Sequence, residues 1–329
     1  MTSAYPMVSI LIPAKNEGAV LARCLESLKK VDYPKDRIEI ILADGLSTDN
    51  TKDIALRYGA KVVANDGGTA VSGRNRAYEV AAGDIIACTD ADCVVDAGWI
   101  KNALKYFGGD KVGGVGGVSL SPEESSGFGK AVNFIFRAAE TARSTSHVQN
   151  LPLAKEADDI PTCNAFYRKE ALDKVMPVDE NLLTAEDVWM NFCLKNQGYR
   201  LVVAPDVVVW HHRRRSPMLF SKQIYRFAIG RMQVARKSPR LINAFHVLAG
   251  IGLPFLLLSA VCLYLLGMLP LFFASITGFL VIAGLSALII SRSLSVAINT
   301  PLAIILFLTA WSIGFMQEFL TPIKDVSGK

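Results

Sequence analysis

The sequence predicts an α/β domain with a mostly parallel sheet, followed by an interfacial amphipathic helix and C-terminal transmembrane helices. Short β-branched runs alternate with helical patterns in the first hundred residues, which is typical of parallel sheets with crossover helices. Three long apolar segments lie beyond Phe245, where the charged residues are only Arg292, Glu318, Lys324, Asp325 and Lys329. The mean hydropathy of +0.31 therefore averages a soluble part and a membrane part.

The first four predicted strands cover residues 8–12, 38–42, 61–64 and 84–88. Apolar spacing and capping signals predict helices between them at residues 18–30, 47–58 and 72–82. The polar segments PAKNE, ADGLSTD and TDAD follow the first, second and fourth strands. Because ligands bind beyond the carboxyl ends of parallel strands, we expect these segments to meet in one crevice.

After Trp99 the pattern is less regular. The polar composition of residues 121–160 predicts a mobile loop that follows or includes a helix near residues 128–143. A further helix is expected at residues 185–196. Additional strands are predicted at residues 112–120, 163–168, 201–204 and 207–210, the last two being short strands around Pro205.

A basic segment separates the soluble part from the membrane part. Nine Lys or Arg residues, and no Asp or Glu, lie between His211 and Arg240, which is typical of a cytoplasmic juxtamembrane segment. Nucleic-acid binding is disfavoured because the segment adjoins membrane spans and contains no nucleic-acid motif. Residues 217–237 are predicted to form an interfacial helix with an apolar face of Phe220, Ile224, Phe227, Ala228 and Met232.

Three candidate spans follow at residues 246–267, 269–291 and 299–320, each close to the ~20 residues that cross a bilayer. If the basic segment is cytoplasmic, Arg292 lies inside and the C-terminus faces outward. Two spans with one re-entrant helix are the alternative. The predicted domains are a cytoplasmic catalytic domain (1–215), a basic amphipathic helix (216–240) and a membrane domain with about three transmembrane helices (241–329).

Asp90 and Asp92 directly follow the apolar run at residues 85–88. Two carboxylates so close to a hydrophobic core repel each other unless a cation lies between them. Their hard oxygen atoms suit Mg²⁺ or Mn²⁺, which bridge to substrate phosphates. Taken alone, the pair is a weak motif that is more simply explained as solvated loop carboxylates, but its position beside PAKNE and ADGLSTD favours a metal site.

Five motifs in order carry a family resemblance: VSILIPAKNE, ILADGLSTDNT, GRNRA, DIIACTDADC and TAEDVWMNFCLKNQGYRL. Over roughly residues 7–235 the chain resembles glycosyltransferase family 2, with the Rossmann-like GT-A fold. The later segments NAFYRKEAL, WHHRRRS and QIYRFAIGR, with membrane spans after them, are similar to succinoglycan-type members of that family.

The resemblance implies a UDP- or GDP-sugar donor bound at the strand ends. Asp44 would hydrogen-bond the base, although Asp-Gly is also an ordinary turn signal. Arg74 would reach the nucleotide or its phosphates, and Asn75 would brace the start of its helix. Asp90 and Asp92 would hold the metal, with Asp90 alternatively contacting the ribose. The loop that lines the base and ribose would contain Pro13, Ala14, Asn16 and Glu17.

The pair Glu186-Asp187 matches the acidic motif of the family. An inverting transfer needs a base that takes the proton of the acceptor hydroxyl, and Asp187 is our choice, with Glu186 as helper or acceptor ligand. The alternative is that both are simply acidic residues favoured in a first helical turn.

Later residues are predicted to contact the metal, phosphates or acceptor. His211 would complete the metal site or contact the diphosphate, or would simply be a polar strand end. Arg213 would bind the substrate diphosphate or lipid headgroup phosphates. Gln223 and Arg226 resemble the QxxRW signature of processive synthases, but Phe227 stands where Trp is usual, which puts processivity in doubt. They would line the acceptor site or belong to the interfacial helix.

The sequence thus predicts a metal-dependent inverting glycosyltransferase of the cell membrane, with a cytoplasmic catalytic domain and a lipid-linked acceptor. A polyprenyl-phosphate sugar synthase and a processive polysaccharide synthase are the enzymatic alternatives. A catalytically silent binding or transport accessory is the alternative from a different class. The intact acidic motifs argue against a silent protein, and the scarcity of charges in the spans argues against a transporter.

Overall fold

The computed structural model describes residues 5–109, 111–120, 126–141, 153–211 and 216–323 of the chain. The chain divides into two units, which are described separately. The first unit holds a mixed β-sheet with its surrounding helices, and the second unit is helical in its described residues. The domain boundaries predicted at residues 215 and 240 stay predictions.

The strands of the first unit are β1 Val8–Ala14, β2 Ile38–Asp44, β3 Lys61–Ala64, β4 Ile85–Thr89, β5 Cys93–Val95, β6 Val112–Leu120, β7 Lys155–Ala157, β8 Asn164–Arg168 and β9 Arg200–His211. In the described residues they form one sheet in the order β3-β2-β1-β4-β8-β6-β9-β5, with β7 also paired to β9.

The helices are α1 Leu21–Lys29, α2 Thr51–Arg57, α3 Ala70–Glu79, α4 Trp99–Leu104, α5 Gly127–Thr141, α6 Lys169–Leu172, α7 Glu186–Asn196, α8 Pro217–Lys237, α9 Ala244–Leu265, α10 Leu269–Ser291 and α11 Leu294–Leu320. Helices α5 and α8–α11 belong to the second unit.

The predicted helices are confirmed with shifted ends. The sequence missed α4, α6, β5 and β7, because segments of three to six residues are too short to show a period.

The half of the sheet built from β1–β4 is parallel. Strand β1 pairs in parallel with β2 and β4, and β2 pairs in parallel with β3. The register sets Ala14 opposite Asp44, and Asp44 opposite Ala64. Ile10 and Leu42 are fully buried, as expected where both faces of a parallel sheet are covered. The carboxyl ends of these strands therefore meet at one edge, as predicted.

The other half of the sheet contains antiparallel pairs. Strand β8 is antiparallel to β4 and β6, while β9 is parallel to β6. The prediction of two short strands around Pro205 is wrong, because β9 is continuous and bulges at residues 205–207. The buried side chain of Asn164 donates to the carbonyl oxygens of Val118 (3.1 Å) and Val207 (3.0 Å). These bonds satisfy backbone groups near the bulge, so the strand continues.

The core of the first unit lies against the sheet. Trp99 of α4 is fully buried, and its ring centroid lies 4.5 Å from that of Phe166 on β8. Its indole N–H donates to Oδ1 of Asn164 at 2.8 Å. A buried tryptophan with its polar atom satisfied fixes α4 on the sheet.

The second unit is built around α11. Helices α9, α10 and α11 are each long and apolar enough to cross a membrane. The predicted helix at residues 217–237 is confirmed as α8, but much of its predicted apolar face does not lie open to lipid, although Phe227 is exposed. Phe220, Ile224 and Ala228 are buried in a cluster that includes Phe128 of α5 and Phe315 of α11. That face of α8 therefore packs against protein.

Candidate active site

The loops after β1 and β2 are joined by hydrogen bonds. The side-chain oxygen of Asn16 accepts from the backbone N–H of Thr48 at 2.8 Å, and the N–H of Asn16 donates to Oγ of Ser47 at 2.9 Å. The N–H of Glu17 donates to Oγ1 of Thr51 at 2.8 Å. Asn16 has φ of 56°, a conformation that asparagine tolerates better than most residues. PAKNE and ADGLSTD thus form one ordered rim of the crevice.

The predicted base-binding residue Asp44 ends β2 inside this rim. Its side chain is buried, while the next residue, Gly45, donates its N–H to the carbonyl oxygen of Ala14 at 2.8 Å. Ala14 is buried and Pro13 is half-buried at the end of β1. The structure therefore brings Pro13, Ala14, Asn16, Glu17 and Asp44 to one edge of the sheet, and their contacts with a nucleotide stay a prediction.

Arg74 projects from α3 and holds two carboxylates that are far away in the sequence. Helix α3 begins with a capping box between Thr69 and Ser72. The guanidinium of Arg74, with 8% of its side chain exposed, donates to Oδ1 of Asp90 at 2.7 Å and to Oε1 of Glu186. Although burial opposes the charged form, these carboxylates raise the pKa of Arg74 above its ordinary value. Arg74 is therefore charged and ties the carboxylate pair to the acidic motif.

Asn75, the next residue on α3, holds the segment that leads to α7. Its Nδ2 donates to the carbonyl oxygen of Val178 at 2.8 Å, and its Oδ1 accepts from the N–H of Val178 at 3.0 Å. The sequence predicted that Asn75 braces the start of its own helix, and this is wrong. The available sequence signal was a polar residue within a helix. That signal could not identify Val178, about a hundred residues away, as the partner of Asn75.

Asp90 and Asp92 flank a tight turn between β4 and β5. Burial raises the pKa of Asp90 to about 6, and the Arg74 guanidinium acts in the opposite direction. The N–H of Cys93 donates to the carbonyl oxygen of Asp90 at 3.0 Å, which closes the turn. Asp92 is turned toward β9, so the two carboxylates have different partners.

Asp92 pairs with His211, the last residue of β9. Antiparallel pairing of β5 with β9 sets Cys93 opposite His211, and Oδ1 of Asp92 lies 3.3 Å from Nε2 of His211. Although burial alone would lower it, the Asp92 carboxylate raises the pKa of His211 well above its ordinary value. Sequence position alone could not show this pairing, because it depends on the register of two short strand ends.

The residues present fit a divalent cation. Ligand atoms of Asp92, Cys93 and His211 lie within 4.8 Å of one another. A carboxylate oxygen and an imidazole nitrogen are suitable ligands for Mn²⁺, and carboxylate oxygens for Mg²⁺. A thiol suits these ions less well than oxygen or nitrogen does, so Cys93 is the weakest of the three candidates. Asp92 and His211, with Asp90 nearby in the chain, are therefore the candidate ligands.

The acidic motif begins α7. Ala185, the residue before the helix, has φ of 65°, which is uncommon for a residue other than glycine. Glu186 and Asp187 follow in the first helical turn, where acidic residues interact favourably with the helix dipole. Glu186 is tied to Arg74, whereas Asp187 is half-buried and accepts from the N–H of Val188 at 2.8 Å.

Two of the remaining predicted residues lie in the second unit, and a third lies outside the described residues. Gln223 and Arg226 are half-buried on α8 of the second unit. Arg213 lies outside the described residues. Their predicted roles in binding acceptor or phosphate stay predictions.

The α/β sheet places its candidate site at the carboxyl ends of the strands, as ligand-binding α/β domains do. The family model for glycosyl transferase family 2 matches residues 9–176, about half of the chain. The chain belongs to glycosyl transferase family 2.

Curated relatives are also glycosyltransferases. The chain is 28% identical to glycosyltransferase AglE of Haloferax volcanii, over 71% of this chain and 76% of the relative. It is 25% identical to a Methanococcus voltae enzyme named dolichyl N-acetyl-alpha-D-glucosaminyl phosphate 3-beta-D-2,3-diacetamido-2,3-dideoxy-beta-D-glucuronosyltransferase. That alignment covers 95% of this chain and 97% of the relative.

A solved structure shows the same fold. The mannosyltransferase PcManGT from Pyrobaculum calidifontis, in complex with GDP-Man and Mn²⁺, aligns with a TM-score of 0.61 at 21% identity. The alignment covers 97% of this chain and 88% of that protein. The predicted fold class is confirmed, with a sheet that is mixed beyond β4.

Proposed function

We propose that the protein is a metal-dependent, inverting glycosyltransferase that transfers a sugar from a UDP- or GDP-sugar to a lipid-linked saccharide. The reaction would take place at the cytoplasmic face of the cell membrane, in cell-envelope glycan or glycoprotein assembly. One observation carries the proposal: Arg74 contacts both Asp90 and Glu186. The groups proposed for the donor and those proposed for the acceptor therefore share one crevice.

The donor diphosphate would lie near the end of β4. Asp92, His211 and Asp90 would hold Mg²⁺ or Mn²⁺, and the bound cation would neutralise charge on the leaving diphosphate. The rim that contains Asp44 and Asn16 would hold the base and ribose. Support for this arrangement comes from the rim's internal hydrogen bonds, which order it without a ligand.

Asp187 would take the proton from the attacking hydroxyl of the acceptor. Its neighbour Glu186 is already paired with the guanidinium of Arg74. The half-buried Asp187 belongs to the rigid first turn of α7, which supports a positioned base. Glu186 would position the acceptor or the helix itself.

The lipid-linked acceptor is supported by the second unit and by a relative. The name of the Methanococcus voltae relative describes a sugar acceptor carried on dolichyl phosphate. Three helices of the present chain could cross a membrane, which suits an acceptor held there. A polyprenyl-phosphate sugar synthase is the competing reaction, and the two differ in whether a hydroxyl must be deprotonated.

Nucleoside diphosphate release by the purified full chain in detergent tests the proposal. A panel of UDP- and GDP-sugars would be assayed with Mg²⁺, Mn²⁺ or EDTA, with and without membrane lipid extract. Asp187→Asn would be compared with Asp53→Asn, an exposed carboxylate on α2. We expect lipid-stimulated, metal-dependent release that falls at least ~100-fold in Asp187→Asn and is unchanged in Asp53→Asn.

Other outcomes would redirect the assignment. Lipid-stimulated release that survives Asp187→Asn would favour a lipid-phosphate acceptor. Release that is unaffected by EDTA would remove the metal from the mechanism. No release from any donor, together with no nucleotide binding, would overturn the transferase proposal for these donors.

A further inference from the structure

The last helix of the second unit packs in a way that a simple membrane crossing does not explain. We propose that α11 lies along the membrane surface, embedded by one apolar stripe, and that only α9 and α10 cross the bilayer. The C-terminal end of α11 is then on the same side of the membrane as α8. This inference concerns the lipid-facing surface of the second unit and does not depend on the proposed reaction.

Helices α9 and α10 form an antiparallel hairpin. Helix α9 ends at Leu265 and α10 begins at Leu269, and the turn between them contains Gly267 with φ of 71°. The N–H of Met268 donates to the carbonyl oxygen of Leu263 at 2.7 Å. Because the connection is so short, the start of α9 and the end of α10 lie at the same end of the hairpin, called the open end below.

Helix α11 contacts the open end of the hairpin in two separate regions along its length. Gly284, seven residues before the end of α10, approaches the carbonyl oxygen of Ala297 so closely that an added Cβ would be 3.2 Å from it. Ser312 donates to the carbonyl oxygen of Gly250, six residues after the start of α9, at 2.6 Å. Ala297 and Ser312 are separated by fifteen residues, or ~22 Å of helix. If α11 ran alongside α10 toward the hairpin turn, Ser312 would lie ~22 Å farther from the open end than Ala297 does.

The end of α11 is also tied to the helix that precedes the hairpin. Arg236, near the end of α8, donates to Oε1 of Glu318 at 2.5 Å. Glu318 is 1% exposed and lies twenty-four residues after the start of α11, or ~36 Å along it. In a three-span arrangement Glu318 would lie near the opposite membrane surface from Arg236. The ion pair therefore requires both ends of α11 to be near the open end.

Exposure differs between the hairpin and α11. In the most apolar 18-residue segment of each helix, only 11% of α9 and 6% of α10 is buried, as expected for helices surrounded by lipid. The corresponding share of α11 is 39%. Helices α5 and α8 cover much of α11. Its exposed apolar residues recur at three- to five-residue intervals over most of its length, which forms one stripe suited to the headgroup–acyl boundary. These residues are Leu294, Ile298, Leu302, Ile305, Leu308 and Ile313, and Phe319 and Leu320 at the end of the helix are also exposed.

The side of the membrane from which single cysteines can be labelled tests the proposal. In full-length protein with Cys193→Ser and Cys262→Ser, Thr321→Cys would report the end of α11. Lys222→Cys on α8 and Met268→Cys in the hairpin turn, both exposed, would mark the two membrane sides. A membrane-impermeant maleimide would be applied to right-side-out and inverted vesicles. We expect Thr321→Cys to label with Lys222→Cys, and labelling together with Met268→Cys would overturn the proposal.

Depth measurements provide an independent check. Nitroxide labels at Ile298, Ile305 and Ile313 would be measured in vesicles by power-saturation spectroscopy, beside labels at Leu248 and Leu257 of α9. These five positions are exposed, so the label should be tolerated. We expect one common depth along α11 and a graded depth along α9. A spread of ~22 Å between Ile298 and Ile313 would show that α11 crosses the bilayer.

Discussion

Arg74 and Glu186 are 112 residues apart in the chain and form a partly buried ion pair in the crevice. The same guanidinium holds Asp90 at 2.7 Å. One side chain of α3 thus connects the end of β4 with the start of α7. Because arginine presents several donors in a rigid plane, it can hold both carboxylates at once.

Replacing Arg74 should damage both stability and activity. In Arg74→Ala, Glu186 and Asp90 lose their cation, and we expect a loss of about 3 kcal/mol in the free energy of unfolding. Arg74→Lys should retain charge but lose the double contact, with donor binding weakened at least ~10-fold. Thermal unfolding and nucleotide titration in detergent measure these effects. Arg76→Ala on the same helix is the control, because its ion pairs are exposed and should contribute ~1 kcal/mol or less.

The proposed metal ligands predict a specific response to metal concentration. Asp92→Asn and His211→Ala should raise the Mn²⁺ concentration required for half-maximal activity by ~10-fold or more, because each removes one ligand atom. Mn²⁺ binding measured by electron paramagnetic resonance would weaken in parallel. Cys93→Ser should leave the Mn²⁺ requirement unchanged, since Mn²⁺ prefers oxygen and nitrogen ligands to a sulfur atom. An equal shift in Cys93→Ser would place the thiol on the metal.

Asn75 should act as a positioning residue for the acidic motif. Asn75→Ala removes two hydrogen bonds from the backbone of Val178, and we expect a loss of about 2 kcal/mol in the free energy of unfolding. Because that segment leads to α7, kcat should fall more than the donor KM rises. Asn181→Ala is the control, because its side chain is exposed and, among the described residues, bonds within its own turn. Equal effects in both variants would contradict the role.

The bulge in β9 predicts a severe effect at one glycine. A Cβ at Gly117 would lie 1.8 Å from the carbonyl oxygen of Val207, so Gly117→Ala must displace the backbone. We expect a loss of at least ~2 kcal/mol or a failure to fold. A Cβ at Gly108 would meet no atom of the described residues within 4 Å, so Gly108→Ala should change stability by less than ~0.5 kcal/mol. Soluble yield and thermal unfolding compare the two.

Local patterns were sufficient for most of the first unit. Alternation of apolar strands with helices predicted β1–β4, because each strand and its covering helix bury their own apolar residues. The same alternation predicted that Asp44 and Asp90 follow strands ending at one edge. The motif that contains Glu186 was predicted from its family resemblance, but the sequence did not predict that Arg74 would hold it.

Contacts between distant segments were decided only by the tertiary structure. Two such contacts are the hydrogen bond of Asn75 with Val178 and the pairing of Asp92 with His211. They depend on which strands are neighbours and in what register these strands pair. Neither leaves a local period in the sequence, because a hydrogen bond between remote residues imposes no spacing along the chain. The continuous β9 was missed for the same reason, since Asn164 lies far from the bulge that it stabilises.

The membrane part shows the same division. Length and apolar composition by themselves determined that α9, α10 and α11 could each enter a bilayer. They cannot distinguish a helix that crosses from one that lies along the surface, because both need a long apolar stretch. That distinction rests on which faces are covered and on contacts such as Arg236 with Glu318, which exist only once the helices have packed.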